Sequence, residues 1–164
     1  TTHRSQALAE LLKRFPHNVE LLSYEIEQLL LVGDIERVIT LLSQAPPEID
    51  EDNRFWRYKG QVHEARQQTD EAEFAYRKSA QMNPLDWRTW NRLAAIERLR
   101  GQFPQASRLQ GLVMRADALR EQARKFPTIE TVGRDWLRDF AVFAKDAGDE
   151  ALATAISRRL GNSL

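Results

Sequence analysis

Cysteine is absent from this 164-residue chain, and glycine and proline are sparse, at seven and six residues. Without cysteine there is neither a disulfide framework nor a thiolate metal site, and the redox compartment stays open. The low glycine and proline counts exclude collagen and low-complexity disorder. Long apolar runs are missing too. The longest, Phe140 to Ala144, falls far short of the ~20 residues that cross a bilayer, and no charged start followed by an apolar core marks a signal peptide. Net charge is lacking as well. Twenty-four Lys+Arg balance twenty-four Asp+Glu, so the whole-molecule field that draws a protein to nucleic acid or anionic lipid is absent and only local patches can act. Nineteen of the basic residues are Arg and five are Lys; the planar Arg fork suits carboxylates and phosphates, although a GC-rich genome would give the same bias. The length suits one domain. The opening Thr1-Thr2, without methionine, is expected of a cut fragment or a processed product.

What the sequence does have is helical periodicity. Leu8, Leu11, Leu12 and Phe15 recur at spacings of three and four, as do Leu22, Ile26, Leu29 and Leu30, and Leu137, Phe140, Ala141 and Ala144. No segment alternates like a half-buried strand. Breakers fall at Pro16, Gly33-Asp34, Pro46-Pro47, Pro84, Gly101, Pro127 and Gly148-Asp149, leaving helix-length stretches between them. A 34-residue period underlies this: blocks from Val19, Asn53 and Trp87 align without a gap at their cores. Their fourth residues are Leu22, Trp56 and Trp90, and their eighth are Ile26, Gly60 and Ala94. Gly33, Gln67 and Gly101 share the turn, while Val38, Ala72 and Ala106 share a small twentieth position where two helices can approach closely.

The second block reads Trp56, Gly60, His63, Asp70-Glu71-Ala72, Tyr76 and Asn83-Pro84. It resembles a tetratricopeptide repeat, whose 34-residue pattern has Trp, Leu-Gly, Tyr, Ala, an aromatic and Pro. Lys59, His63 and, in the first block, Glu25 depart from that pattern at degenerate positions. The resemblance implies an all-α fold, a right-handed α-solenoid of helix-turn-helix repeats forming a single domain over 1–164. Residues 1–18 would be the second helix and closing turn of a truncated repeat, and 19–52, 53–86 and 87–127 the repeats. Residues 128–164 would be a diverged repeat or C-terminal cap, with one long helix from Thr128 to Ala147 and its partner from Glu150 to Leu160. The unbroken stretch from Pro104 to Lys125 predicts a lengthened second helix in the third repeat.

Catalytic constellations are missing. Of the histidines, His3 and His17 lie near the amino end or in a turn, and His63 holds a site that the repeat fills with a packing aromatic. No His/Asp/Glu set has metal-ligand spacing on one helix face, and no glycine-rich loop resembles a phosphate cradle. Carboxylate runs such as Asp50-Glu51-Asp52 read as turns and helix starts. Neither metal nor cofactor is expected, and the chain reads as no enzyme. Trp56, Trp90 and Trp136 read as core; Trp87, at a block boundary, is the aromatic placed to be partly exposed.

In the family, the first helix of each repeat lines a concave groove through its second, fifth, sixth, ninth, twelfth and thirteenth residues. Carried over, the second block supplies Arg54, Arg57, Tyr58, Gln61 and Glu64, and the third Arg88, Asn91, Arg92, Ala95 and Arg98. The first supplies Glu20, Ser23, Tyr24, Glu27, Leu30 and Leu31. The resemblance thus implies partner-binding by Arg54, Arg57, Tyr58, Gln61, Arg88, Asn91, Arg92 and Arg98, a basic middle suited to a carboxylate or an acidic peptide. The alternative is that these arginines pair with neighbouring carboxylates. A clamp for a terminal carboxylate, known in some members, is not supported: Arg88 and Arg92 match its third-repeat pair, but Ser23, Glu27 and Tyr58 fill its other places. The leading reading is therefore a non-catalytic scaffold for a protein or peptide partner. The alternatives are an RNA-binding helical repeat, disfavoured by zero net charge and the acidic first block, and a regulatory fragment of a larger enzyme. Self-association through the amino-terminal helix, with its Leu8, Leu11, Leu12 and Phe15 stripe, is a further expectation.

Overall fold

The computed structural model describes residues 2–161, with the side chains of all but 2–6, 9 and 129. Thr1, the His3 side chain and the end of the expected closing segment, residues 162–164, lie outside the described residues. Among the described residues nine α-helices follow one another: α1 Thr2–Arg14, α2 Val19–Val32, α3 Ile35–Gln44, α4 Asn53–Ala65, α5 Thr69–Met82, α6 Trp87–Leu99, α7 Phe103–Ala123, α8 Arg134–Asp146 and α9 Glu150–Leu160. No strand occurs among the described residues, and the fold is an all-α helical repeat. Two compact units divide it. Unit 1, Thr1–Met82, holds α1 to α5, and unit 2, Asn83–Leu164, holds α6 to α9.

The 34-residue period is visible in backbone chemistry. Asn18, Asp52 and Asp86 stand one period apart and cap α2, α4 and α6, their side chains accepting from the N–H groups of Leu21 at 3.0 Å, Arg54 at 2.9 Å and Arg88 at 3.2 Å. Each cap satisfies a donor that a helix start leaves without an intrahelical partner, a contribution of ~1 kcal/mol. Turns between paired helices repeat as well: Gly33, Gln67 and Gly101 all take left-handed backbone, with φ of 75°, 59° and 74°. Glycine does this without penalty, whereas Gln67 bears a strain of roughly 1–2 kcal/mol. Trp56 and Trp90 repeat a third feature, each donating its indole N–H to a carbonyl six residues upstream, Asp50 O at 3.0 Å and Pro84 O at 2.7 Å.

The core of unit 1 gathers Leu22, Ile26 and Leu29 of α2, Val38 of α3, and Phe55, Tyr58 and Val62 of α4. The period breaks after α3, because Pro46 and Pro47 cannot continue a helix. The chain instead makes a 3-10 turn, Pro47–Glu51, that buries Ile49 in the same core. At Gly60 the absent side chain is required: a Cβ there would stand 2.5–2.8 Å from three ring atoms of the fully buried Tyr76. Tyr76 in turn donates its hydroxyl to Glu64. Within α1, Leu8 is buried and Leu12 packs on the unit 1 core, so only Leu11 and Phe15 of the stripe remain exposed.

In unit 2, α7 runs for 21 residues against 14 in α5. The single helix expected from Thr128 to Ala147 does not form. The Thr131 hydroxyl donates to Thr128 O at 2.7 Å and accepts from Thr128 N–H at 3.3 Å, closing a 3-10 turn over Ile129–Thr131. Such local bonds compete with helix, and with Gly133 extended, α8 begins only at Arg134.

Candidate functional site

The first-helix face of unit 1 is held together from within. Arg54 reaches back one full repeat to Glu20, forming two parallel bonds of 2.8 and 2.6 Å, and also bonds the Asp52 carboxylate, Nη2 to Oδ2 at 2.6 Å. Arg54 hydrogen bonding drops the Glu20 carboxyl below its ordinary value. At Asp52, burial works to raise the carboxyl, but the side-chain and backbone bonds with Arg54 outweigh it and the net shift is downward. One turn further along, Tyr58 is fully buried. Its hydroxyl lies 2.8 Å from Ser23 Oγ and donates to Glu27 Oε1 at 3.0 Å. Burial pushes this hydroxyl up to about 12, against the lowering pull of the Ser23 bond and the Arg57 charge. Arg57, itself buried, lies over the Tyr58 ring and pairs with Glu27 at 3.5 Å.

Arg54, Arg57 and Tyr58 therefore join α4 to α2. Ser23, Glu27 and Tyr58, the positions that depart from the carboxylate clamp, form one bonded network in its place. A sequence signal for this was present: Glu20 and Arg54 are opposite charges at one register position, one period apart. Gln61 is half-buried on the same helix.

On α6 the same positions behave differently. Asp86 uses one carboxylate oxygen for the Arg88 N–H and the other for the buried Thr89 hydroxyl at 3.0 Å. The Arg88 guanidinium lies instead over the Trp87 ring, 5.2 Å from its centroid. Arg88, Asn91, Arg92 and Arg98 are all exposed, with Arg98 within 3.5 Å of Gln110 on α7. Trp87 is half-buried, as its boundary position suggests.

Charge follows the same division. Unit 1 carries ten Lys+Arg against fourteen Asp+Glu, a net of −4, and unit 2 carries fourteen against ten, a net of +4. The neutral chain is thus two oppositely charged halves.

Other expected residues sort as follows. Trp90 is buried, but Trp56 and Trp136 are only half-buried; Trp56 lines an open cavity beside the exposed Phe74, and Trp136 meets Phe126 and Phe140 while donating to Leu119 O at 3.1 Å. His63 bonds Gln68 through Nδ1 at 2.9 Å and His17 is exposed. Among the described residues no group of His, Asp and Glu could hold a metal ion, and no helix is long and apolar enough to cross a membrane. Compared with known families, residues 53–96 match the model described as tetratricopeptide repeat. No curated protein matches the chain.

Proposed function

With residues 53–96 identified as tetratricopeptide repeat, a family that generally mediates protein–protein interaction, we propose that the chain is a non-catalytic binding module whose α6 face grips an acidic segment of a protein partner. The observation that carries this reading is the contrast at equivalent positions. Arg54 and Arg57 are engaged by carboxylates, whereas Arg88, Asn91 and Arg98 present guanidinium and amide groups at the surface of the positively charged unit. Guanidinium forks bond carboxylates bidentately, so an extended peptide bearing Asp or Glu on one side is the ligand class that this face suits. A first-helix face of this kind presents side chains in rows along the helix, which fits a segment rather than a small molecule.

The test is a titration with a fluorescently labelled acidic dodecapeptide and its Asn/Gln counterpart, followed by anisotropy at rising salt. The acidic peptide should bind and weaken steadily as salt rises, because exposed charges are screened over ~8 Å at physiological ionic strength. Equal binding of the two peptides, or binding indifferent to salt, would remove the reading. Self-association through the exposed Leu11 of α1 and Phe15 just beyond its end belongs to the same proposal, and sedimentation that stays monomeric across concentrations would dismiss it.

A further inference from the structure

On a neutral chain only local patches can attract charge, and one lies on the turn between α6 and α7 of unit 2. Seven consecutive residues there, Arg98 to Pro104, are exposed. Two of them are large and apolar: Leu99, the last residue of α6, is 81% exposed, and Phe103, the first of α7, is 65% exposed. Carboxylates are missing around them. From Arg98 to Ala116 the sequence has four arginines and neither Asp nor Glu, the longest stretch of the chain without a carboxylate. Of these arginines, Arg115 pairs with Asp146 on α8, whereas Arg98 bonds the amide oxygen of Gln110, an acceptor without charge. The turns from α2 to α3 and from α8 to α9 cap their second helix with Asp34 and Asp149. Here Gln102 holds that position and makes no side-chain cap bond.

We propose that this turn docks on an anionic lipid bilayer, with Leu99 and Phe103 entering the interface and Arg98 meeting headgroup phosphates. Peripheral binding grows with the apolar area buried and with the attraction to anionic lipid, and the turn offers both within six residues. A basic surface alone would suit a soluble polyanion, and an apolar one alone a hydrophobic groove; the two side by side match a layered interface, charged outside and apolar within. The backbone suits that setting too, since an unpaired polar group is costly in lipid. The N–H groups of Arg100, Gly101 and Gln102 bond Ile96 O, Arg98 O and Glu97 O at 3.1, 3.0 and 2.9 Å, and Pro104 has no N–H to satisfy. Apolar exposure by itself does not make such a site. Leu31 and Val32, beside the α2–α3 turn, are 80% and 78% exposed, but they belong to the unit with a net charge of −4, which an anionic surface repels. Arg98 is the one residue shared with the acidic-peptide reading, and either reading can fail without the other.

The experiment mixes the full chain with vesicles of phosphatidylcholine, alone or mixed with phosphatidylserine, and measures the fraction that co-sediments. Binding should require phosphatidylserine and weaken as salt rises. Leu99→Ser with Phe103→Ser should lower the affinity at least about 10-fold, through the apolar area no longer buried, and Arg98→Gln about 5-fold, the share of one charge near an anionic surface. Leu31→Ser with Val32→Ser removes a similar apolar pair from unit 1 and should leave binding unchanged. Because the chain has no cysteine, a fluorophore on Gln102→Cys reports insertion without altering either apolar residue, and its emission should shift to the blue with phosphatidylserine vesicles. Equal binding to both kinds of vesicle, binding that survives the loss of Leu99 and Phe103, or a fluorophore that stays in water would overturn the proposal. So would a chain that ignores vesicles while Leu99→Ser with Phe103→Ser loses acidic-peptide affinity, an outcome that assigns the turn to the protein partner instead.

Discussion

Arg54 and Arg88 hold the same position in successive repeats, yet one joins its helix to the preceding repeat and the other faces solvent. The difference lies in the neighbours supplied by register. Arg54 has Glu20 one period upstream and Asp52 at its helix cap, both within bonding distance. At the α6 cap, Asp86 gives its second oxygen to Thr89, a residue with no hydroxyl counterpart in the second block, where Phe55 stands. An identical residue type at an identical register therefore takes opposite roles. A basic residue on a repeat face is informative about binding only after its partners one repeat away have been counted.

The largest effect that would sharpen this comparison is at the eighth repeat position, Gly60 in one repeat and Ala94 in the next. Gly60→Ala should destabilise the protein by about 1–3 kcal/mol through overpacking against Tyr76, whereas Ala94→Gly should cost only about 1 kcal/mol of helix propensity. Chemical denaturation of both variants checks the ranking.

Next comes the network between α2 and α4. Tyr58→Phe leaves the buried Ser23 hydroxyl without that partner and should cost about 1–3 kcal/mol. Because the Tyr58 hydroxyl is raised to about 12 in the folded chain, above the ordinary 10.0, its stabilisation is complete below pH 10 and is lost as pH climbs towards 12. An ultraviolet titration of tyrosinate, compared between the chain and Tyr58→Phe, should show one group ionising only near 12.

Smaller still is the surface pair. Glu20→Gln should lower stability by roughly 0.2–1 kcal/mol, since Glu20 is largely exposed. Its carboxyl lies below the ordinary 4.5, so this contribution is full above pH 4.5 and disappears as acid protonates it. The difference between the two proteins should shrink accordingly when melting is measured at falling pH. On α6, Arg88→Gln should change stability by less than about 0.5 kcal/mol, the range for exposed sites without a structural role.

Much of this fold was legible in the sequence because the repeat writes itself into chemistry that is local. The caps, the left-handed turns at Gly33 and Gly101, and the extra length of α7 all follow from residues within a few positions of one another. The break between Thr128 and Gly133 was not, because Thr131 competes for the backbone through a hydroxyl that hydropathy ignores. The partners of Arg54, Arg57 and Tyr58 are harder to read along a single helix, because Glu20, Ser23 and Glu27, which engage them, lie 30 to 35 residues away. The charge of each half was also hidden, since a count over the whole chain returns zero.

The central claim is that the α6 arginines serve a partner while those of α4 serve the fold. It is tested most directly by measuring, side by side, acidic-peptide affinity and melting temperature for Arg88→Gln/Arg98→Gln and for Arg54→Gln/Arg57→Gln. The first pair should lose at least about 10-fold in affinity, the loss expected when charge-assisted bonds are removed, with melting unchanged. The second should melt earlier and, while folded, bind as the unaltered chain does. Affinity lost in the α4 pair and kept in the α6 pair would contradict the account.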